Sequence, residues 1–146
     1  MAFSNLRTCP SCGAVNRIPA KHLADEGRCG SCREPLPPLS SPLQVSSSDF
    51  DEIIREARVP VFVDFWAAWC GPCWAAAPEV EALARDLAGE VIVLKIDTER
   101  DGKLAGRYRV QSIPNFVIFR NGQPVFQKAG TAPRSEMRQW IAQAAA

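Results

Sequence analysis

The sequence predicts an α/β domain, in which a mixed β-sheet is flanked by helices, preceded by a small cysteine-rich module. Three observations lead to this prediction. Helical and strand patterns alternate from Asp49 onward, as in a layered α/β domain. The first 35 residues instead carry four cysteines and few large apolar side chains. A stretch rich in proline and serine separates the two parts, which is typical of a semi-rigid linker.

The composition of the chain narrows the classes of protein that it can represent. Its 146 residues are 47% hydrophobic and 23% charged, which excludes a disordered, collagen-like or coiled-coil chain. The formal net charge of +1 gives no bulk attraction to nucleic acid or to an anionic membrane. No apolar run approaches the ~18 residues of a membrane span, and no apolar core of a signal peptide follows Met1. We therefore expect a cytoplasmic protein that binds neither nucleic acid nor membranes.

The chain divides into three predicted parts. Residues 1–35 form a module too small to fold by burying its own apolar surface, so it needs a metal or disulfides. Residues 36–42 are a Pro/Ser-rich linker, and residues 43–146 form the second domain.

Local patterns predict the element order β-α-β-α-β-α-β-β-α for the second domain. The first half contains a strand near Leu43–Ser46, a helix over Phe50–Ala57 capped by Ser48/Asp49 with Glu52, a buried strand at Val61–Trp66, and a helix ended by Gly89. The second half contains a buried strand at Val91–Ile96, a helix at Gly102–Tyr108, a hairpin of Phe116–Phe119 and Val125–Lys128, and a helix through Met137 and Ile141. Pro124 predicts that the second hairpin arm is an edge strand.

Four of the six cysteines form two C-x-x-C pairs in the N-terminal module. Sixteen residues separate Cys9/Cys12 from Cys29/Cys32, a spacing expected of a four-thiolate zinc site. Four thiolates complete a tetrahedron and leave no open position, so we expect one structural zinc ion per chain. We also expect no bound organic cofactor. An iron site of rubredoxin type and a disulfide switch that expels the metal are the alternatives. His22, the single histidine, is expected on the surface.

The third pair, Cys70-Gly-Pro-Cys73, lies between a buried strand and a helix N-terminus. The unpaired N–H groups and positive end of that helix stabilise a thiolate at Cys70, the attacking species in disulfide exchange. Cys73, one turn further along, is expected to be more buried and to resolve a mixed disulfide. Pro72 fits the first helical turn, where its missing N–H costs nothing. The position favours redox chemistry over packed core cysteines or half of a metal site.

Asp64 interrupts the apolar strand Val61–Trp66, where an unpaired charge is unfavourable. Loss of hydration raises the pKa of such a carboxyl, which makes Asp64 a candidate proton acceptor for Cys73. A carboxylate that contacts solvent at the strand end is the alternative. Lys95 is either the partner of Asp64 or a surface residue whose stem lies along the sheet.

The segment Trp66-Ala-Ala-Trp69-Cys70-Gly-Pro-Cys73 resembles the active-site signature of the thioredoxin family. The resemblance implies a thioredoxin fold, a cis peptide bond before Pro114, and catalysis by Cys70, Cys73 and Asp64. It also implies substrate contacts at Trp69, Gly71, Pro72, Ile113, Pro114 and Gly130.

The four-cysteine module and the stretch NRIPAKHLAD extend the resemblance to the second, zinc-binding thioredoxins of bacteria, with a zinc-ribbon-like module. The implied function is reduction of protein disulfides through a mixed-disulfide intermediate. The implied partners are disulfide-containing client proteins and an NADPH-dependent thioredoxin reductase. We expect a monomer. The alternative is a metal-sensing or interaction module in which the dithiol is secondary.

Three positions depart from the pattern of the family. Trp74 stands where Lys or Arg usually follows the second cysteine, Ala68 where proline is common, and Asn115 where threonine usually follows the cis-proline. None of them removes a reacting group. We therefore expect them to change partner preference and redox potential rather than the reaction.

Overall fold

In the computed structural model, which describes residues 2–145, the N-terminal module consists of two antiparallel hairpins. Strand β1 (Ser4–Thr8) pairs with β2 (Val15–Pro19), and β3 (Gly27–Arg28) pairs with β4 (Pro35–Leu36). The sequence does not show the alternation of apolar inward and polar outward side chains that is typical of a strand, because that arrangement is reversed here. Leu6 is 60% exposed, whereas the neighbouring polar side chain of Arg7 lies partly buried.

The second domain is built on a five-stranded mixed sheet in the order β5-β7-β6-β8-β9. Its strands are β5 (Leu43–Gln44), β6 (Val61–Trp66), β7 (Ile92–Asp97), β8 (Asn115–Arg120) and β9 (Gln123–Ala129). Strands β5, β7 and β6 run parallel, whereas β8 is antiparallel to β6 and β9 is antiparallel to β8. The predicted α/β class is confirmed, and the strand that contains Pro124 lies at an edge.

Four helices cover the two faces of this sheet. Helix α1 (Ser47–Glu56) and α3 (Gly102–Arg107) pack on one face, and α2 (Gly71–Asp86) and α4 (Arg134–Ala145) pack on the other. The element order predicted from the sequence is therefore confirmed for this domain. Among residues 2–145, none of the helices combines the length and the apolar character needed to cross a membrane.

The start of α1 differs from the predicted capping box. Ser46 is the N-cap residue, and its hydroxyl accepts a hydrogen bond from the N–H of Asp49 at 3.4 Å. The carboxylate of Glu52 instead accepts the N–H of Phe3, with N···O distances of 3.0 and 3.1 Å. A run of three serines offers several equivalent caps, so the local pattern alone does not select one.

The N-terminal module shares a hydrophobic core with the second domain. Ala20 and Leu23 are buried, at 2% and 0% exposure, in the cluster that also contains Phe50 and Ile53 of α1. Arg7 links the segments around them by donating hydrogen bonds to the carbonyl oxygens of Leu23, Asp25 and Pro37. The module is therefore joined to α1 by apolar packing as well as by hydrogen bonds.

Candidate functional site

The Cys70–Cys73 pair lies at the junction of β6 and α2, as its position in the sequence predicts. Strand β6 ends at Trp66, α2 begins at Gly71, and Cys70 is the N-cap residue of that helix. The two cysteines are joined by a disulfide bond. The N–H of Cys73 points at Cys70 Sγ, with an N···S distance of 3.1 Å. A thiolate formed at Cys70 would therefore be stabilised by a helix N–H group.

The expected difference in burial between the two cysteines is wrong for this disulfide form. Cys70 is 3% exposed and Cys73 is 4% exposed. Cys70 is covered because its Sγ lies 3.7 Å from the carbonyl oxygen of Ile113 on the neighbouring loop. A partner therefore has to approach Cys70 along the surface between that loop and α2.

An open groove of about 480 Å³ lies along that approach. It is lined by Trp69, Cys70, Gly71 and Pro72 on one side and by Thr98, Val110, Gln111, Ser112 and Ile113 on the other. The side chain of Trp69 is 69% exposed, and its indole N–H donates to the carboxylate of Glu99 at 2.7 Å. The groove thus combines an anchored aromatic side chain with the backbone of a loop.

Pro114 and Gly130, which are also expected to contact substrate, do not line the groove. The Ile113–Pro114 peptide bond is cis, as the resemblance implies, and Pro114 is buried. The N–H of Gly130 donates to the carbonyl oxygen of Pro114 at 2.9 Å. Gly130 has a φ of +96°, which favours glycine. Gly130, which is exposed, therefore holds the loop through this hydrogen bond, and the other four expected residues line the groove.

Asp64 is buried in the centre of the sheet, with 1% of its surface exposed. Its Oδ1 atom has no hydrogen-bond partner within residues 2–145. Burial raises the pKa of Asp64 to about 7, although the positive charge of Lys95 acts in the opposite direction. The alternative of a carboxylate that contacts solvent at a strand end is therefore wrong.

The side chain of Asp64 lies on the sheet face that α2 covers. Phe62, two residues earlier on β6, shares that face and packs in one cluster with Ala76 of α2. Cys73 precedes Ala76 by three residues and therefore lies on the same side of the helix. Asp64 and Cys73 are thus directed toward the same interface between helix and sheet.

Lys95 makes a contact that sequence reasoning missed. Its ammonium nitrogen lies 4.4 Å from the ring centroid of Trp66, although the backbone of Lys95 pairs in register with Asp64. The indole N–H of Trp66 donates to Gln44 Oε1 at 3.0 Å. Trp74 packs edge-on against Trp66, with the two ring centroids 5.8 Å apart. Asp64 and Trp66 lie two residues apart on one strand and therefore share a face of the sheet, which is the signal in the sequence that could have placed Trp66 beside Asp64.

A pair of side-chain amides supports the groove wall: Asn115, singled out in the sequence as a departure from the family, and Gln127, which the sequence did not indicate. Asn115 is 5% exposed and donates to the carbonyl oxygen of Ser112 at 3.2 Å. Gln127 on β9 donates to Asn115 Oδ1 at 3.1 Å and to the carbonyl oxygen of Tyr108 at 2.9 Å. The two amides therefore hold both ends of the segment from Tyr108 to Ser112.

The four remaining cysteines converge in the N-terminal module. All four Sγ atoms lie within 4.8 Å of one another. The Sγ atoms of Cys9 and Cys32 are 3.6 Å apart, and so are those of Cys12 and Cys29. Four thiolates at about 2.3 Å from a tetrahedral zinc ion would lie about 3.8 Å from one another. The donor set and its size therefore fit a zinc ion.

The backbone around these sulfurs is organised alike in both hairpins. The N–H of Gly13 donates to the carbonyl of Cys9, and the N–H of Arg33 donates to the carbonyl of Cys29, at 2.9 and 3.0 Å. Hydrogen bonds from the backbone of Cys32 and Ser31 and from Asn16 lower the pKa of Cys29 to about 6. Donors directed at a sulfur favour the thiolate form that binds metal.

His22 lies outside this group of sulfurs. Its Nδ1 atom lies 2.7 Å from a carboxylate oxygen of Asp25, and its side chain is 41% exposed, as expected of a surface residue.

Two family models match this chain. The model described as "Thioredoxin" matches residues 41–143. The model described as "Thioredoxin 2, N-terminal", a zinc ribbon, matches residues 8–34. The second match and the four clustered sulfurs together indicate a zinc-binding module.

Curated relatives and solved structures agree with these matches. Thioredoxin C-3 of Corynebacterium nephridii is 37% identical over 135 residues, which cover 92% of each chain. Thioredoxin 1 of Chlorobaculum tepidum is 43% identical over 94 residues, which cover 64% of this chain and 93% of the relative. A mutant thioredoxin from Halobacterium salinarum superimposes with a TM-score of 0.67 at 30% identity, covering 73% of this chain and 93% of that one.

Proposed function

The chain belongs to the thioredoxin family of thiol–disulfide oxidoreductases, and on this premise we propose that it reduces protein disulfides through Cys70 and Cys73. The observation that carries the proposal is the disulfide at the N-terminus of α2, next to an open groove. Only the reduced form of this pair can donate electrons, so the disulfide state described here is the product of the reaction.

The proposed reaction consists of two thiol–disulfide exchanges. The Cys70 thiolate attacks one sulfur of the client disulfide, whose S–S bond breaks as the other client sulfur leaves as a thiolate. The Cys73 thiolate then attacks Cys70 Sγ in the mixed disulfide and releases the second client sulfur. Two electrons pass from the dithiol to the client, whose two thiolates take up protons, and Cys70 and Cys73 become a disulfide.

Asp64 is the proposed proton acceptor for the Cys73 thiol. A carboxyl whose pKa is about 7 can accept a proton and return it near neutral pH, which an ordinary carboxylate does poorly. Two observations support this role. Asp64 is buried, and it lies on the sheet face that is covered by the turn of α2 after Cys73. Proton transfer over this interface, directly or through one water molecule, would generate the resolving thiolate.

The groove is the proposed docking site for the client segment around its disulfide. The proposed client contacts are Trp69, Gly71, Pro72 and Ile113, which line the groove, together with Pro114 and Gly130 beside it. The hydrogen bond from Gly130 to Pro114 would also hold the loop in place. An extended client backbone can bind the polar backbone of such a loop with little dependence on its sequence. This mode of docking suits an oxidoreductase that acts on several clients.

Cys9, Cys12, Cys29 and Cys32 are the proposed ligands of one zinc ion per chain. The metal would fill a closed tetrahedral site and stabilise the fold of the module, without a position for substrate. Their convergence within 4.8 Å and the zinc-ribbon match support this assignment.

The proposed setting is the cytoplasm, where the chain would act as a monomer on disulfide-containing proteins. A thioredoxin reductase that draws on NADPH would return the Cys70–Cys73 disulfide to the dithiol. No bound organic cofactor, nucleic acid or membrane takes part in this proposal.

The reduction of insulin disulfides tests the proposal. The wild-type chain should reduce insulin with dithiothreitol or with NADPH and thioredoxin reductase, and Cys70→Ser should lose this activity. Cys73→Ser should instead accumulate a mixed disulfide at Cys70, which mass spectrometry would detect. Retained activity of Cys70→Ser would contradict the assignment of the nucleophile.

Asp64→Asn should slow the reaction on the order of a hundredfold near neutral pH if Asp64 is the proton acceptor. An unchanged pH–rate profile in this variant would contradict its assigned role.

A further inference from the structure

Three side chains beside Asp64 form a cluster that the proposed reaction does not use. Trp66, Trp74 and Lys95, here called the tryptophan–lysine cluster, lie at the edge of the interface between α2 and the sheet. The Lys95 ammonium lies 4.4 Å from the Trp66 ring centroid, and the Trp74 ring lies edge-on at 5.8 Å on Trp66. Trp74 is 57% exposed, so its position is not explained by burial alone.

Lys95 is the cation whose charge acts on Asp64. The two residues pair in register on the parallel strands β6 and β7, which places both side chains on one face of the sheet. The ammonium is held over the ring of Trp66, where the negative face of the indole attracts it. The location of the Trp66 ring therefore determines how far the positive charge lies from the Asp64 carboxyl.

The ring of Trp66 is held at two places. Its indole N–H donates to Gln44 on β5 at 3.0 Å. Trp74 contacts it edge-on, and Trp74 is itself fixed because its indole N–H donates to the carbonyl oxygen of Ala68 at 2.8 Å. A Lys or Arg at position 74 would supply neither the ring contact nor this hydrogen bond in the same geometry.

We propose that Trp74 is a positioning residue, which holds the Trp66 ring and thereby fixes the Lys95 ammonium beside Asp64. In this way it controls the exchange of a proton at Asp64 during the reaction. This inference rests on the role proposed for Asp64 above. Trp74 itself contacts neither the client disulfide nor the transferred proton.

The other groups that face Asp64 do not replace this control. Strand β7 contributes Lys95 and, two residues further, Asp97, whose Oδ1 accepts the N–H of Glu99 at 2.9 Å. Strand β8 contributes the uncharged Phe116 in register with Asp64. Helix α2 contributes Cys73, which does not titrate in the disulfide form. In that form the field on Asp64 depends chiefly on Lys95.

The experiment is a titration of the Asp64 carboxyl by ¹³C NMR in the oxidised protein, which requires no enzymatic activity. The variants are Trp74→Ala, Trp74→Phe, Lys95→Met and the double variant Trp74→Ala/Lys95→Met. Trp69→Phe serves as the matched control, because Trp69 is also more than half exposed beside the dithiol but hydrogen-bonds to Glu99 instead.

Lys95→Met should raise the pKa of Asp64, and Trp74→Ala should raise it by a smaller amount as the ammonium moves into solvent. Trp74→Phe, which keeps an edge-on ring, should remain closer to the wild type. In the Lys95→Met background, Trp74→Ala should cause no further increase. A decrease or no change with Trp74→Ala, or an equal increase in both backgrounds, would overturn the proposal.

The pH dependence of insulin reduction is the second measurement. Its midpoint should move in the same direction as the Asp64 pKa in Trp74→Ala, with the wild-type chain as reference. If the wild type reduces no insulin, the proposed function fails while the NMR result still stands. If the wild type is active and the midpoint stays constant in Trp74→Ala, the positioning role fails.

Discussion

The guanidinium of Arg7 donates a hydrogen bond of 2.6 Å to the carbonyl oxygen of Leu23, whose own side chain is fully buried. Arg7 lies in the first hairpin of the cysteine module, and Leu23 packs in the core beneath α1. This relationship makes the N-terminal module part of the structure that supports the oxidoreductase domain.

Leu23→Ala should destabilise the whole chain. Removing a fully buried leucine side chain typically costs about 2–5 kcal/mol of free energy of unfolding. Chemical unfolding followed by tryptophan fluorescence would measure the loss, since all four tryptophans lie in the second domain. Leu6→Ala is the matched control, because Leu6 is 60% exposed and should change stability by less than 1 kcal/mol in order of magnitude. Equal effects of the two substitutions would contradict the shared core.

Removal of the metal should lower the thermal stability of the second domain as well as of the module. The metal would hold the two hairpins together, and their connecting segment places Ala20 and Leu23 against α1. Thermal unfolding with and without a chelator, followed at the tryptophans, measures this coupling. Metal content by elemental analysis is the control, and an unchanged Tm after loss of the metal would refute the prediction.

The stability of the chain should fall as the pH rises from about 4 to about 7. Asp64 has a pKa of about 7 in the folded state against 3.8 for an ordinary Asp. The folded state therefore binds this proton more tightly than the unfolded state does. The resulting contribution to the free energy of unfolding is fully present below about pH 4 and is lost as the pH rises from about 4 to about 7. The cost at high pH reaches at most about 4 kcal/mol. Asp64→Asn should remove this dependence, which urea unfolding at pH 5 and pH 8 would test. An equal change in the free energy of unfolding between the two pH values in both proteins would rule it out.

Gln127→Ala should weaken client binding more than it slows the chemical steps. The amide of Gln127 holds Asn115 and the carbonyl of Tyr108, which fix the groove wall beside Ile113. We expect KM for a protein disulfide to rise severalfold with kcat nearly constant, in line with a net hydrogen-bond contribution of about 1 kcal/mol. Gln123→Ala, exposed on the same strand, should leave both constants unchanged. A fall in kcat alone would argue against a role in docking.

Trp74→Lys should lower the pKa of Cys70 in the reduced protein. A cation one residue after Cys73 would stabilise the thiolate at the start of α2. The rate of alkylation by iodoacetamide as a function of pH measures this pKa. A titration curve that coincides with that of the wild type would refute the argument.

Much of the second domain could be predicted because its elements follow strong local patterns. Val61–Trp66 is apolar at every position except Asp64, and its bounds in the structure are the same as those predicted. The bond before Pro114 is a different case, because its cis geometry came from the resemblance rather than from the residues themselves.

The N-terminal strands and the contacts of Lys95 could not be predicted, for physical reasons. In β1 the polar side chain of Arg7 faces inward and Leu6 faces solvent, which reverses the usual alternation. Lys95 had two candidate environments, and its location on the ring of Trp66 depends on the pairing of β6 with β7. Contacts of this kind depend on which strands pair, and the residues of one strand do not identify its neighbour in the sheet.

The two ends of the five-stranded sheet limit how one copy of the chain can associate with another. One edge strand, β5, has two residues, and the other, β9, contains Pro124, which has no N–H to donate. Strand β5 is short, and the ladder at β9 is interrupted by Pro124 and by a register shift at Ile118/Phe119, so neither edge is a regular template for a further strand. If the chain reduces protein disulfides as proposed, these edges would disfavour co-aggregation with partly unfolded clients through the sheet.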